Sequence, residues 1–219
     1  MVPRRDPAWW QLPLILLLSA AYQSLFIRYG LSPLDEGWPL YAAMRSHAGG
    51  TLYQDIFWCF PPGALLPAWL GQALDPPGVV ATRLVYACFD TALCAALYLL
   101  GRRLMAPAYA LLGAALLAVA APHSHLVQVV FGYRYLLFSV LALICFSQHL
   151  RDGRRRWLIL AGCLTGVALL FRLTPAFAVS VGIGVGILAS DRDWRGVNLG
   201  ARRRFRNRGI AAGCCRTVC

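Results

Sequence analysis

Two adjacent carboxylates, Asp35 and Glu36, follow the first long apolar run of the chain. They stand in the stretch LSPLDEGWPLYAAMRSHAGGTLYQDIFWCFPPG (31–63), whose surroundings are mostly apolar. A carboxylate close to a membrane surface is partly desolvated, which makes it a better base. The same pair also fits an acidic loop start that caps a short helix. General-base chemistry and helix capping are therefore both open for Asp35 and Glu36.

The overall composition is that of a membrane protein. The 219 residues are 59% hydrophobic and 14% charged, whereas soluble domains carry about 25% charged residues. Several apolar runs are long enough to cross a bilayer. Helices satisfy the backbone hydrogen bonds of such runs within one segment. We therefore predict an all-α fold, a polytopic membrane helical bundle.

The apolar runs predict about six transmembrane helices in a module of residues 1–194. Span five is kept apart from span six because Pro175 disfavours a continuous helix. A single helix over both would be about 50 Å long, too long for a hydrocarbon core of about 30 Å. A loop of residues 28–78, with short interfacial helices, separates the first two spans. The spans are predicted at 9–27, 79–100, 105–121, 136–150, 157–171 and 174–189.

The positions of arginine orient this bundle. With six spans, sixteen of the 21 basic residues, all of them Arg, lie on the side of both termini, which is therefore cytoplasmic. The net charge of +12 then reflects topology, and no nucleic acid partner is predicted. The loop of residues 28–78 lies on the outer face with four acids and two arginines. We expect something charged to be handled there.

The last part of the chain, residues 195–219, has a different character. It is basic, contains cysteines and shows no usable periodicity. Two interpretations are open, a translation in a wrong frame after a natural cytoplasmic loop and a divergent, disordered end. On either interpretation the chain is expected to be a fragment of a longer protein.

An ordered set of features resembles the N-terminal half of the GT-C membrane glycosyltransferases. The set begins with a first span, DEG, a short helix and GGTLYQDIFWCFPPG, and continues with a span that opens on an Arg and closes with GRRL. RRRWLILAGCLTGVALLFRLTP (154–175) resembles the paired helices of that family. The resemblance covers roughly residues 8–190. It is strongest to the bacterial branch that groups with protein O-mannosyltransferases and lipid A aminoarabinose transferases.

The resemblance implies a glycosyltransferase at the outer face of a bacterial inner membrane. It implies that a sugar moves, with inversion, from a polyprenyl-phosphate donor to a hydroxyl of a lipid, glycan or protein. Asp35 is the first candidate for the base, and Glu36 is the second. Arg172 is the first candidate for binding the lipid phosphate, because a basic residue stands at this turn in the family. The further binding candidates are Arg83, Arg45, Tyr53 and Asp55, of which Asp55 could instead be a turn residue.

The sequence departs from this family in the second outer loop. Related aminoarabinose transferases carry an acid there, whereas this loop reads HSHLVQVVFGYRY. His123 and His125, with Asp35, are the candidate metal ligands, since imidazole suits several metals. A solvated polar turn explains the two histidines equally. No cofactor is predicted with certainty, and a divalent metal stays open.

The alternative to an enzyme is a non-catalytic membrane protein. A truncated remnant, an assembly partner or a transport partner would share the same spans and loops. The predicted partners are membrane lipid and, for the enzyme, the polyprenyl-phosphate-linked sugar. The sequence predicts no oligomeric state. Binding of that donor would separate the two classes.

Overall fold

The computed structural model describes residues 10–28, 36–76, 78–120 and 136–189. These residues are almost entirely helical and form no strand beyond one isolated bridge between Leu52 and Ile56. A 3-10 turn, Pro62–Leu65, leads directly into the third helix. The predicted all-α class is confirmed. The helices are α1 (Gln11–Ser24), α2 (Trp38–His47), α3 (Leu66–Leu74), α4 (Val79–Leu104), α5 (Pro107–Ala120), α6 (Leu136–Asp152), α7 (Arg155–Phe171) and α8 (Leu173–Ala189).

Glycine and proline set several of the helix boundaries. Pro107 occupies the first position of α5, where its missing N–H costs nothing. Gly153, at φ +65°, makes a left-handed turn between α6 and α7. The two helices therefore extend beyond the predicted spans 136–150 and 157–171, and only two residues connect them. Arg172 is extended, at φ −157° and ψ 120°, and separates α7 from α8. Pro175 then falls in the first turn of α8, which tolerates proline.

The helices differ in their ability to cross a bilayer. Within the described ranges, α4 is the one helix that meets both the length and the composition of a span, at about 39 Å. α5 and α8 are shorter apolar helices. The number of spans therefore stays a prediction. Large apolar side chains are exposed along these helices, as lipid contact requires, among them Leu84, Leu99, Leu112, Leu116, Phe177, Val185 and Leu188.

Small residues bring α1, α4 and α5 close together. Ala110 and Ala114 of α5 are buried in one cluster with Ile15 of α1 and Tyr98 of α4. Such small side chains let membrane helices approach closely. The hydroxyl of Tyr98 also donates a 2.8 Å hydrogen bond to Oε1 of Gln11. These contacts fix the N-terminal end of α1 relative to α4.

A second cluster joins the elements around the first loop. It contains Ala42 and Ala43 of α2, Tyr86 of α4 and Phe171 of α7. Its other buried members are Ile56, Trp58, Ala64, Leu65 and Ala68, all from the loop between α2 and α4. This loop is therefore packed on the helix bundle. Phe171 of this cluster directly precedes Arg172.

Candidate functional site

Glu36 and Arg83 form a buried ion pair. Arg83 Nη2 lies 2.6 Å from Glu36 Oε2, and Arg83 Nε donates to Glu36 Oε1 at 3.1 Å. The two side chains are only 7% and 10% exposed, respectively. Two parallel N–H···O bonds are the strong form of an arginine–carboxylate contact. The resemblance implied separate roles for these two residues, and the structure brings them into direct contact.

Arg83 connects three segments of the chain. Besides Glu36, it donates a 2.8 Å hydrogen bond from Nη1 to the carbonyl of Ile27, just after α1. Glu36 lies two residues before the start of α2, and Arg83 lies in the second turn of α4. The guanidinium therefore holds Ile27 and Glu36, the residues on either side of the segment that contains Asp35. Asp35 itself is outside the described residues.

Replacing Glu36 with Gln should destabilise the protein. The change removes the carboxylate charge that pairs with the buried guanidinium of Arg83, and breaking a buried pair in this way costs up to about 3 to 5 kcal/mol. We expect the melting temperature of the purified chain in detergent to fall clearly. The matched control is Asp75→Asn, because Asp75 is an exposed acid of the same loop.

Removing both charges tests whether the stability lost in Glu36→Gln comes from the unbalanced charge of Arg83. A Glu36→Gln, Arg83→Met double variant should regain much of the loss, since a buried pair can be replaced by apolar groups at little cost. Equal melting temperatures for Glu36→Gln and Asp75→Asn would contradict the stabilising role.

Tyr53 and Asp55 shape the turn that follows α2. The side chain of Asp55 accepts a 2.8 Å hydrogen bond from the backbone N–H of Thr51. Tyr53 has a φ of 71°, in the left-handed region that non-glycine residues rarely occupy. Its hydroxyl donates to the carbonyl of Phe60 at 2.7 Å. Both side chains thus make local contacts in the turn, and their binding roles stay predictions.

Desolvation raises the pKa of the Tyr53 hydroxyl above its ordinary value. The phenol is therefore protonated throughout the neutral range. A protonated phenol can donate to the carbonyl of Phe60 at every physiological pH. The turn before Pro61 is fixed without a charge on Tyr53.

An aromatic group links the start of α2 to this turn. The ring of Trp38 stacks on that of Phe57, with centroids 5.9 Å apart and an interplanar angle of 14°. Trp38 Nε1 donates to the carbonyl of Phe57 at 3.1 Å. Trp58 is almost fully buried, and its Nε1 donates to the carbonyl of Pro61 at 3.3 Å. Sequence reasoning missed this group, although the six aromatic residues from position 38 to position 60 could have indicated it.

The Pro61-Pro62-Gly63 turn packs against the end of α7. A Cβ on Gly63 would lie 2.7 Å from the carbonyl oxygen of Leu170 and 3.1 Å from the ring of Phe171. Glycine is therefore required for this close approach. The contact places the turn beside the residue that precedes Arg172.

Arg172 carries a buried nitrogen with an unmet hydrogen bond. Its Nη1 is buried and has no hydrogen-bond partner among the described residues. A buried charged donor without an acceptor is costly. Phosphate oxygens are acceptors that arginine binds well. Arg172 is therefore the described arginine whose surroundings best suit an anionic ligand.

The structure does not place the remaining candidates, Arg45 and the metal-ligand candidates, beside Arg172. Arg45 is exposed near the end of α2. Of the candidate metal ligands, Asp35, His123 and His125 all lie outside the described residues. Within the part of the chain that is described, no group of three or more His, Cys, Asp or Glu side chains could hold a metal ion. A divalent metal stays an open prediction.

Comparison with known families gives one match. Residues 60–199, more than half of the chain, match the sequence model of the dolichyl-phosphate-mannose-protein mannosyltransferases. No curated protein and no solved structure matches the chain significantly. The matched residues include Arg83, Arg172 and the Pro61-Pro62-Gly63 turn. They begin after Asp35, Glu36, Tyr53 and Asp55.

Proposed function

This chain belongs to the dolichyl-phosphate-mannose-protein mannosyltransferase family of GT-C membrane glycosyltransferases, and we propose that it moves a sugar from polyprenyl phosphate to an acceptor hydroxyl. The family is integral to membranes and uses lipid-linked sugars. The sugar, the acceptor and the residues that act are part of the proposal. So is its place, the outer face of a bacterial inner membrane.

The observation that supports the proposal most directly is the buried, unpartnered Nη1 of Arg172. A lipid-linked sugar has a phosphodiester next to its anomeric carbon. Arg172 would donate to an oxygen of this phosphate and would stabilise the charge that grows on it as the sugar leaves. Since Arg172 follows α7, the preceding helix gives the guanidinium a defined position.

Asp35 completes the proposed reaction as general base. It would accept the proton of the acceptor hydroxyl while the hydroxyl oxygen forms a bond to the anomeric carbon. The bond from that carbon to the phosphate oxygen breaks on the opposite face, so the configuration inverts. Polyprenyl phosphate leaves with the electron pair, and the proton stays on Asp35. The neighbouring Glu36–Arg83 pair would hold Asp35 in place.

Donor binding tests this function against the non-catalytic alternative. The full chain in nanodiscs should bind radiolabelled polyprenyl-phosphate-mannose. Unlabelled polyprenyl phosphate should compete, whereas polyprenol, which lacks the phosphate, should not. A chain that binds none of these lipids would favour a non-catalytic membrane protein. Equal competition by polyprenol would contradict recognition of the phosphate.

A further inference from the structure

Two arginine-rich segments meet at one end of the helices. α4 ends with Arg102 and Arg103, and residues 151–156, at the junction of α6 and α7, contain four further arginines. Arg103 Nη1 donates to Ser147 Oγ at 2.6 Å, and Arg151 Nη2 donates to the carbonyl oxygen of Arg103 at 3.1 Å. These bonds join the end of α4 to the end of α6. The resulting basic cluster consists of Arg102, Arg103, Arg151, Arg154, Arg155 and Arg156.

The positive charge of the basic cluster is not balanced by acids of the same segments. Asp152 is their one acidic residue, so six arginines against one aspartate give the two segments a net charge of +5. Asp152 Oδ2 accepts a 2.7 Å hydrogen bond from Gln148 Nε2 of the same helix. A preference for basic residues on one side of a membrane explains the number of arginines, but not the hydrogen bonds that bring the two segments together. A cluster of this charge attracts an anionic partner.

An apolar groove begins at one arginine of the basic cluster. It runs along the first two turns of α7, has a volume of about 490 Å³ and is lined by Arg156, Trp157, Ile159, Leu160 and Cys163. The guanidinium of Arg156 lies over the Trp157 ring, with Cζ 5.3 Å from the centroid, an arrangement that cation–π attraction stabilises. Arg156, Ile159, Leu160 and Cys163 are all exposed. An occupant can therefore reach both the charged and the apolar part of the lining.

The order of the lining residues matches an amphiphile with an anionic end. Arg156 stands at one end, and the apolar side chains of Ile159, Leu160 and Cys163 follow over about 10 Å of the helix. A soluble phosphate would pair with Arg156 but would leave the apolar wall in water. A neutral lipid would cover the wall but would leave the cation without a counter-charge. A phospholipid with a net negative charge satisfies both parts.

The basic cluster also carries more charge than one carrier lipid could match. A polyprenyl-phosphate sugar has a single phosphate group, whereas a net charge of +5 is matched by several anionic headgroups side by side, as a membrane surface offers them. Arg156 lies at the start of α7 and Arg172 follows its end, about 24 Å away along the axis. The groove is therefore separate from the proposed donor site.

We propose that the basic cluster binds anionic phospholipids of the membrane leaflet that it faces, and that one of them occupies the groove on α7. Arg156 donates hydrogen bonds to the phosphate oxygens of this lipid, and an acyl chain lies on Ile159, Leu160 and Cys163. The other arginines attract the neighbouring headgroups. The inference does not depend on the proposed function, because neither a sugar nor a carrier lipid takes part.

Charged and neutral lipids with the same acyl chains test this proposal. The purified full chain in neutral detergent is titrated with phosphatidylglycerol and with phosphatidylcholine, and binding is followed by the rise in melting temperature. We expect phosphatidylglycerol to bind about 5- to 30-fold more tightly, the effect of one or two arginines at an anionic membrane surface. The difference should shrink at about 1 M salt, which screens exposed charges. Equal binding of the two lipids would overturn the proposal.

Two competitors identify the part of the ligand that is recognised. Glycerol phosphate has the phosphate without the acyl chains, so it should not displace phosphatidylglycerol at equal concentration. Displacement by glycerol phosphate would mean that the groove binds soluble phosphates. Tighter binding of polyprenyl phosphate than of phosphatidylglycerol would mean that it binds the carrier lipid. Either result would overturn the proposal.

A pair of neighbouring variants assigns the lipid preference to the groove. Arg156→Gln removes the cation of the groove, so the preference for phosphatidylglycerol should fall by about 5-fold. Arg155→Gln is the matched control, because it removes the same charge from the basic cluster but does not line the groove. This control should keep most of the preference. Both side chains are exposed, so the melting temperatures without lipid should not change. Equal losses of preference in the two variants would contradict the assignment to the groove.

Discussion

Replacing Asp35 with asparagine should lower the rate of sugar transfer by about 10²- to 10⁴-fold, the usual contribution of a general base. Asparagine has nearly the same shape but cannot accept the proton of the acceptor hydroxyl. The melting temperature and the amount of chain inserted into membranes should not change. The measurement is the initial rate of release of polyprenyl phosphate from polyprenyl-phosphate-mannose.

Glu36 provides the internal control for this experiment. It is the neighbouring carboxylate, but it is paired with Arg83 in the structure. We therefore expect Glu36→Gln to lower stability strongly and Asp35→Asn to lower activity strongly. Near-normal transfer by Asp35→Asn would remove Asp35 from the mechanism. The opposite pattern, with activity lost only in a stable Glu36→Gln variant, would assign the base to Glu36.

Arg172→Gln should weaken binding of the polyprenyl-phosphate donor by about 10- to 150-fold. This range corresponds to the loss of one charged hydrogen bond, about 1.5 to 3 kcal/mol. The variant removes a charge that has no partner for its Nη1 in the described chain, so the fold should not lose stability. The measurement is the dissociation constant of the labelled donor in nanodiscs.

Arg155→Gln is the matched control for Arg172. Arg155 begins α7, whereas Arg172 follows its last residue, so the two positions are about 25 Å apart along the axis. Arg155 is exposed, and its loss should leave donor affinity unchanged. Arg172→Lys should recover part of the affinity, because a lysine keeps the charge but not the planar donor geometry. Equal affinities for Arg172→Gln and Arg155→Gln would contradict the phosphate site.

The helical architecture could be predicted well from the sequence. Long apolar runs indicate helices that satisfy their own backbone, and the break near Arg172 follows from Pro175. The connection between α6 and α7 is shorter than the gap between the predicted spans. Gly153 makes the turn with a positive φ, so the charged residues on either side of it belong to the ends of the helices. These features depend on local chemistry, which the sequence contains directly.

The contacts of the site could not be predicted in the same way. Glu36 and Arg83 are 47 positions apart, and their pairing depends on how α2 and α4 pack. The sequence therefore assigned Glu36 to catalysis and Arg83 to phosphate binding without linking them. Arg172 became a candidate because the resemblance implies a basic residue at this turn, and its role in phosphate binding stays a prediction.

The most direct test of the central claim is product analysis after one reaction. The wild-type chain in nanodiscs is incubated with polyprenyl-phosphate-mannose and an extract of envelope lipids, glycans and proteins, and the products are identified by mass spectrometry. The account predicts free polyprenyl phosphate together with an acceptor that has gained one hexose, and neither product with Asp35→Asn. Intact donor after incubation, in nanodiscs that bind it, would contradict glycosyl transfer by this chain.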